Sequence, residues 1–422
     1  MKLKHWQDWL TLESLDALGP WVAAHPEFES YLEGFVSCRI DDWRRDDAAR
    51  KRAWDKERKQ RKEGWRSHFR EHLEAIRDGS AYPQILHELA QVYLREYLDI
   101  EGETPHARLA DFLGADDELI AAAYAGFRRS LDRDDLPSVA EIVDLETKGR
   151  MHLIRQPCLV GIEELYAGDP EAALQLDDEV LRKLLAFRLT LVADKESDWF
   201  MELVKLRPAL VAEVLVNYAL ALLRKGREHL HGIWQLAYDD NFAAVARAAL
   251  TNLLKGFPLR AKSKQLANVL DPLLKAGLRY LDHPTLAVIV SARLAQGSMS
   301  AAQRVYWLAG GLVISPCEYE AALAAHIGAS KALRGHLGSF LHNRERRPGF
   351  NTTLPESSLA LLIELLAPDS PPERSMGAHW VSAAMQTADE VRIFIDALGG
   401  NPSEAATREL DRLIALPELT PW

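Results

Sequence analysis

Residues 178–192 read DEVLRKLLAFRLTLV, and their spacing decides the class of fold. Leu181, Leu184, Leu185, Leu191 and Val192 fall on overlapping turns of one helical face, interrupted by Arg188; a strand would instead alternate every second residue. The stretch PSVAEIVDLETKG from Pro137 repeats the pattern with Val139, Ile142, Val143 and Leu145. From about Tyr82 onward, similar apolar-periodic segments are separated by brief turns, with no alternating strand pattern. The chain is therefore expected to be all-α.

The breaks carry the same message. A turn residue followed by proline recurs at Asp169-Pro170, Ser315-Pro316 and Asn401-Pro402. Such a side chain can accept the free N–H groups of a first turn, where proline loses nothing by lacking its own. Glu318 and Glu404 then fall at the third helical position, placed to reach back to the cap. Gly149, Gly226, Gly256 and Gly399 suit left-handed caps at the opposite ends.

Helices joined this way for over 300 residues predict stacked antiparallel pairs in an irregular HEAT-like or TPR-like solenoid. No strict period and no W-x-x-L-G pattern emerge, which leaves a large helical bundle open. The helix from Pro208 is apolar nearly all round except for Glu213 and Asn217, which places it in the middle of the stack. The expected division is a helical region over residues 1–80 and a solenoid over 81–422.

The first region differs in charge. Between Asp41 and His72 lie 12 Lys/Arg and 8 Asp/Glu, a local net of +4 within a chain of net charge -11. Trp43, Trp54 and Trp65 recur there every 11 residues, almost three turns, so the indoles share one face of a long charged helix. They either pin that helix onto its neighbours or form a partner-binding or nucleic-acid-stacking ridge. Two basic clusters fall between helices, where a solenoid exposes its loops: Lys255, Arg260, Lys262 and Lys264, then Arg344, Arg346 and Arg347. Solvated loops or a surface for an acidic partner are the two readings.

Other chemistry is weakly supported. HFREH at 68–72 has the H-x-x-E-H form of an inverted zinc protease, and His68 and His72 would share a helical face. Yet Arg66, Arg70 and Arg77 would repel a divalent cation, no third ligand is recognisable, and 14 histidines make the spacing common by chance. The two histidines of EHLH (Glu228, His229, His231) point apart on a helix, so a turn after Gly226 is expected instead. Cys158 has no histidine fixed beside it and reads as a packed thiol. Acid pairs such as Asp239-Asp240 read as caps or solvated faces. The sequence contains no G-x-x-x-x-G-K-[ST], G-x-S-x-G or G-x-G-x-x-G. No catalytic residue, cofactor or metal is expected.

Composition bounds the setting. With 48% hydrophobic and 27% charged residues, every segment should fold. Cys38, Cys158 and Cys317 form no C-x-x-C pair, which fits a reducing cytosol. Gln7, Asp8, Glu13 and Ser14 interrupt any signal-peptide core, and Pro208–Leu223 is shorter than the roughly 20 apolar residues of a membrane span. The acidic balance disfavours general nucleic-acid binding, which depends on Lys and Arg displacing counterions.

DRDDLPSVAEIVDLETKGRMHLIRQPCLVGIEEL (132–165), YWLAGGLVISPCEYEAAL (306–323) and GAHWVSAAMQTADEVRIFIDALGGNPSEAATRELDRLIALPEL (377–419) resemble the helical-repeat region of large bacterial NACHT-type NTPases of the STAND class. The segment around Trp54 and GETPHARLADFLGADDELI are similar too. The resemblance implies a sensor or scaffold portion in antiphage defence. Its NTPase module, N-terminal to the repeats in that family, has no matching positions here. This chain is then either a piece of a larger protein or a free-standing relative acting in trans. The expected function is non-enzymatic binding of a protein partner: an NTPase or effector module in cis or trans, or a phage component. The alternative is a HEAT-like nucleic-acid-binding protein or DNA glycosylase, which needs a basic concave face and a buried acid. Oligomerisation through the tryptophan-bearing helix is a third possibility.

Overall fold

A helix of 9–17 residues is marginal alone in water, so its apolar stripe must be covered by another helix. That requirement organises this chain. The computed structural model describes residues 12–30, 40–97, 100–191, 196–342, 354–372 and 382–422. Every regular element among them is helical, with no strand.

Helix α1 (Leu12–Ala24) precedes the 32-residue α2 (Ile40–Glu71). Next come α3 (Leu73–Arg77), α4 (Pro83–Tyr93), α5 (Pro105–Leu113) and α6 (Asp117–Arg129). The central stretch comprises α7 (Val139–Thr147), α8 (Arg155–Gly168), α9 (Pro170–Leu174), α10 (Asp178–Leu189), α11 (Asp198–Leu206) and α12 (Pro208–Arg224). It continues through α13 (Ile233–Tyr238), α14 (Ala243–Gly256) and α15 (Asp271–Tyr280), the last entered through a π turn at Leu266–Leu270. The C-terminal part holds α16 (His283–Leu294), α17 (Ala301–Ile314), α18 (Pro316–Ile327), α19 (Lys331–Leu341), α20 (Glu356–Leu366), α21 (Ala383–Gly399) and α22 (Glu404–Ile414).

Contacts pass from near neighbour to near neighbour. Helix α6 packs on α8, α8 on α10, α10 on α12 and α12 on α14; α14 meets α15, then α15 packs on α17, α17 on α19 and α19 on α21. Among the described residues, no principal contact joins helices more than five places apart. One hydrophobic core runs the whole way, from Phe69 and Ile76 to Leu413 and Leu419. Helix α12 lies centrally as expected, with Leu210, Val214, Leu215, Ala219 and Leu222 buried and Glu213 and Asn217 exposed.

Local chemistry sets the boundaries. Ser138 and Glu141 form a reciprocal capping box at the start of α7, and Asp169 accepts the Ala172 N–H at 3.0 Å to start α9. Ser315 begins α18, but its side chain makes no capping bond. At the last break, the cap is Ser403 rather than Asn401. Asn401 instead accepts the Ser403 N–H at 3.1 Å in a turn, and Ser403 caps Ala406 at 3.0 Å, so Glu404 is the first helical residue, not the third. Gly149 and Gly226 adopt the left-handed conformation, with φ of 70° and 76°. Gly256 and Gly399 do not; they end α14 and α21 in ordinary helical geometry. Gly256 instead lets Leu220 approach, because a Cβ there would sit 2.7 Å from that side chain.

No single helix among the described residues is long and apolar enough to cross a membrane; α11 and α12 reach that length only together, bent by 109°.

Candidate functional site

The C-terminal ends of α7, α12 and α14 lie together, held by contacts among the loops that follow them. The Arg227 guanidinium donates to the Glu146 carbonyl at 3.1 Å, tying the turn after α12 to the end of α7. Lys262 Nζ donates to the Gly226 carbonyl at 3.4 Å, and Gln265 donates to the Leu223 and Arg227 carbonyls at 3.0 Å each, tying the next loop to the same turn. From the other side, Gln303 donates to the Pro258 carbonyl at 2.7 Å and accepts from the Ala261 N–H at 3.2 Å. Buried Arg293 donates to the Lys255 carbonyl at 3.3 Å and the Phe257 carbonyl at 2.5 Å. Three loops are thus fastened into one surface.

That surface is basic. Lys255, Arg260, Lys262 and Lys264, anticipated from sequence, are all exposed. Lys264 lies 3.5 Å from Glu228. Arg150, Arg224, Lys225 and Arg227 join them, which their separation along the chain conceals. The available signal was the excess of Lys and Arg at helix C-termini, where a cation offsets the negative end of the helix dipole. The fold brings those ends together. Among the described residues, the charged groups of Arg150, Arg224, Lys225, Lys255 and Arg260 make no hydrogen bond or ion pair. The neighbouring carboxylate of Asp144 is held by Lys148 at 2.6 Å. Arg344, Arg346 and Arg347 lie outside the described residues.

Beside the edge, a cleft of about 540 Å³ opens between α7 and α12. Val139, Ala140, Val143 and Thr147 line one wall; Asn217, Ala221, Arg224 and Lys225 line the other.

The tryptophan-bearing helix behaves differently from the pinning expectation. Trp65 does pack, 4.6 Å from the Phe112 ring and 6.4 Å from Tyr97. Trp54 does not; it is 47% exposed, with the Arg58 guanidinium 5.4 Å over its ring. The side chain of Trp43 lies outside the described residues. The reason is that α5 covers only the later turns of α2, while residues 46–57 are exposed on every side. Charge on the covered turns is matched across this contact. Lys62 meets Asp111 at 2.5 Å, and Arg70 and Arg66 meet Asp116 at 2.7 and 3.3 Å. Burial opposes the charge on Asp116, but the Leu119 N–H, Arg70 and Arg66 outweigh it and hold this carboxyl below its ordinary range. Trp65→Ala should lower stability by on the order of 2 kcal/mol, whereas Trp54→Ala should change it by less than about 0.5 kcal/mol. Urea unfolding of the two variants checks the contrast.

The remaining candidates resolve into structural contacts. His68 and His72 have ring centroids 5.0 Å apart. No group of three or more metal-ligating side chains occurs among the described residues. In EHLH, Glu228 faces Lys264 while His231 lies 3.0 Å from Glu196. Cys158 is fully buried, its Sγ 3.6 Å from the Ser130 carbonyl, and burial pushes its thiol pKa up. Cys317 is exposed and Cys38 lies outside the described residues. Asp239 accepts the Asn241 N–H at 2.9 Å as a cap, and Asp240 meets Arg279 at 2.6 Å. Compared with models of known families, with curated proteins and with solved structures, the chain matches none.

Proposed function

We infer that the chain is an irregular α-solenoid of the HEAT/TPR kind that works without catalysis, as a cytosolic scaffold or sensor holding a protein partner along its basic loop edge. One observation carries this reading: cationic side chains from successive loops converge on one surface, and Arg150, Arg224, Lys225, Lys255 and Arg260 among them make no ion pair with any described residue, in a chain whose net charge is -11. Near-neighbour packing supports the solenoid, because such arrays expose their loops as a continuous binding edge. The glycosylase alternative lacks this kind of support. The buried acids Asp116, Asp271 and Glu390 face Arg70, Lys275 and His342 respectively. The resemblance to NACHT-type repeats adds the setting, antiphage defence, and the partner class, an NTPase or effector module or a phage component.

The test compares tagged wild-type chain with a triple charge reversal, Arg224→Glu, Lys225→Glu and Arg260→Glu, in co-purification from phage-infected bacterial lysate at about 150 mM salt. Exposed side chains without partners were chosen so that the fold survives. The expected result is a protein retained by wild type, depleted at least about tenfold by the triple variant, and kept by Arg408→Glu on the remote α22. Identical recovery by all three chains would remove the edge as the binding surface. Recovery of DNA in place of protein, weakening steeply with salt, would move the function to the nucleic-acid class.

A further inference from the structure

The cleft beside the basic edge has walls of one chemistry and a rim of another. Val139, Val143 and Thr147 succeed each other every four residues on α7, and Asn217, Ala221 and Arg224 follow helical spacing on α12, so two stripes face each other across the gap. The walls offer aliphatic methyl groups from Val139, Ala140, Val143 and Ala221. At the mouth, Arg224 and Lys225 carry charges unpartnered among the described residues, while Lys148 neutralises Asp144. Asn217 is exposed on the same stripe, and its side-chain amide makes no hydrogen bond among the described residues.

We propose that this cleft captures an acidic protein segment, seating one or two aliphatic side chains between α7 and α12 while its carboxylates meet Arg224 and Lys225. The proposal rests on the partner-binding reading of the edge and specifies what the partner presents there. Three features select the occupant. A volume of about 540 Å³ suits side chains from one or two helical turns. The aliphatic walls reward an apolar anchor. No aromatic ring lines the cleft, so a nucleic-acid base would find no stacking platform.

The experiment uses the full chain and a fluorescein-labelled peptide of about ten residues, glutamates flanking two leucines one helical turn apart. Its controls are the same peptide with serines for leucines and a thymidine oligonucleotide of equal charge. Anisotropy should show the leucine peptide binding at least about tenfold more tightly than the serine peptide and more tightly than the oligonucleotide. Ala221→Trp, which fills the cleft without altering charge, should weaken the leucine peptide about tenfold, as should Lys225→Glu. Ala140→Trp, from an exposed position on the opposite wall, provides a second blocking variant should Ala221→Trp fail to fold. Equal binding of the two peptides, indifference to the filling variants, tighter oligonucleotide binding, or no peptide binding would each overturn the proposal. If these results fail while a partner is still lost from the triple charge-reversed chain, the cleft is excluded and the edge stands.

Discussion

Gly161→Ala should destabilise the chain by about 2–3 kcal/mol, although alanine is ordinarily the better helix former by about 1 kcal/mol. Gly161 sits where α8 crosses α6, and a Cβ built there would lie 2.1 Å from the Phe127 carbonyl oxygen and 2.8 Å from its carbon. Gly126, on α6, stands in the same relation to α3, with the Ile76 carbonyl oxygen 2.1 Å from its would-be Cβ. The obstacle in both cases is backbone, which cannot rotate aside as a side chain can. Helices α3, α6 and α8 therefore meet main chain to main chain, and one methyl group must push two of them apart and loosen the surrounding Phe127, Leu86 and Cys158 packing. Gly335 supplies the opposite sign: it lies exposed in α19 with nothing within 4 Å, so Gly335→Ala should stabilise by about 0.5–1 kcal/mol. Urea unfolding followed by circular dichroism checks both signs. An unchanged midpoint for Gly161→Ala would mean that the α6–α8 contact yields at no cost.

Removing the Arg188 side chain should cost about 3 kcal/mol near neutral pH. Its guanidinium, only 2% exposed, donates to the Leu191 carbonyl at 2.8 Å and to Glu196 at 2.5 Å, and lies 5.6 Å over the Phe200 ring. Arg188→Ala leaves a half-buried carboxylate with only His231 and Gln235 beside it. The pH dependence distinguishes this cause from lost packing. Burial works against the charge of Glu196, but His231, then Arg188 and Gln235, outweigh it and hold the carboxyl below its ordinary range. A carboxyl depressed in the folded state contributes stability above its unfolded pKa, about 4.3, and loses that contribution as pH falls through the lower folded value. Without Arg188 the depression shrinks, so acid unfolding should begin at a higher pH and the penalty should narrow once Glu196 is protonated in both chains. A penalty constant between pH 7 and pH 3 would assign the loss to packing alone.

The helical class was legible because period and caps are local. Leu181, Leu184 and Leu185 of the opening stretch are buried as their spacing required, and Ser138 caps α7. Arg188 looked like a break in that stripe and is instead one of the most buried charges. Only the return of the chain at Glu196 and Phe200 makes the position tolerable. The shift from Asn401 to Ser403 has a similar origin: both can cap, and contacts of Asn401 and Ser403 with Glu356, at 2.9 and 2.8 Å, favour the observed start. Trp54 and Trp65 are equivalent by period but not by burial, since no periodicity reports where α5 stops. Half of the basic edge was visible as a local run. Arg150, Arg224, Lys225 and Arg227 belong to it only because helices distant in sequence end together.

The hand-to-hand order of contacts has a mechanical consequence. If the proposed solenoid holds, tension applied to the ends would be borne by each interface in series, so the protein should lengthen elastically by small tilts between adjacent layers and then shed terminal helices singly, without a collective rupture. A partner straddling several loops would act as a brace against that compliance.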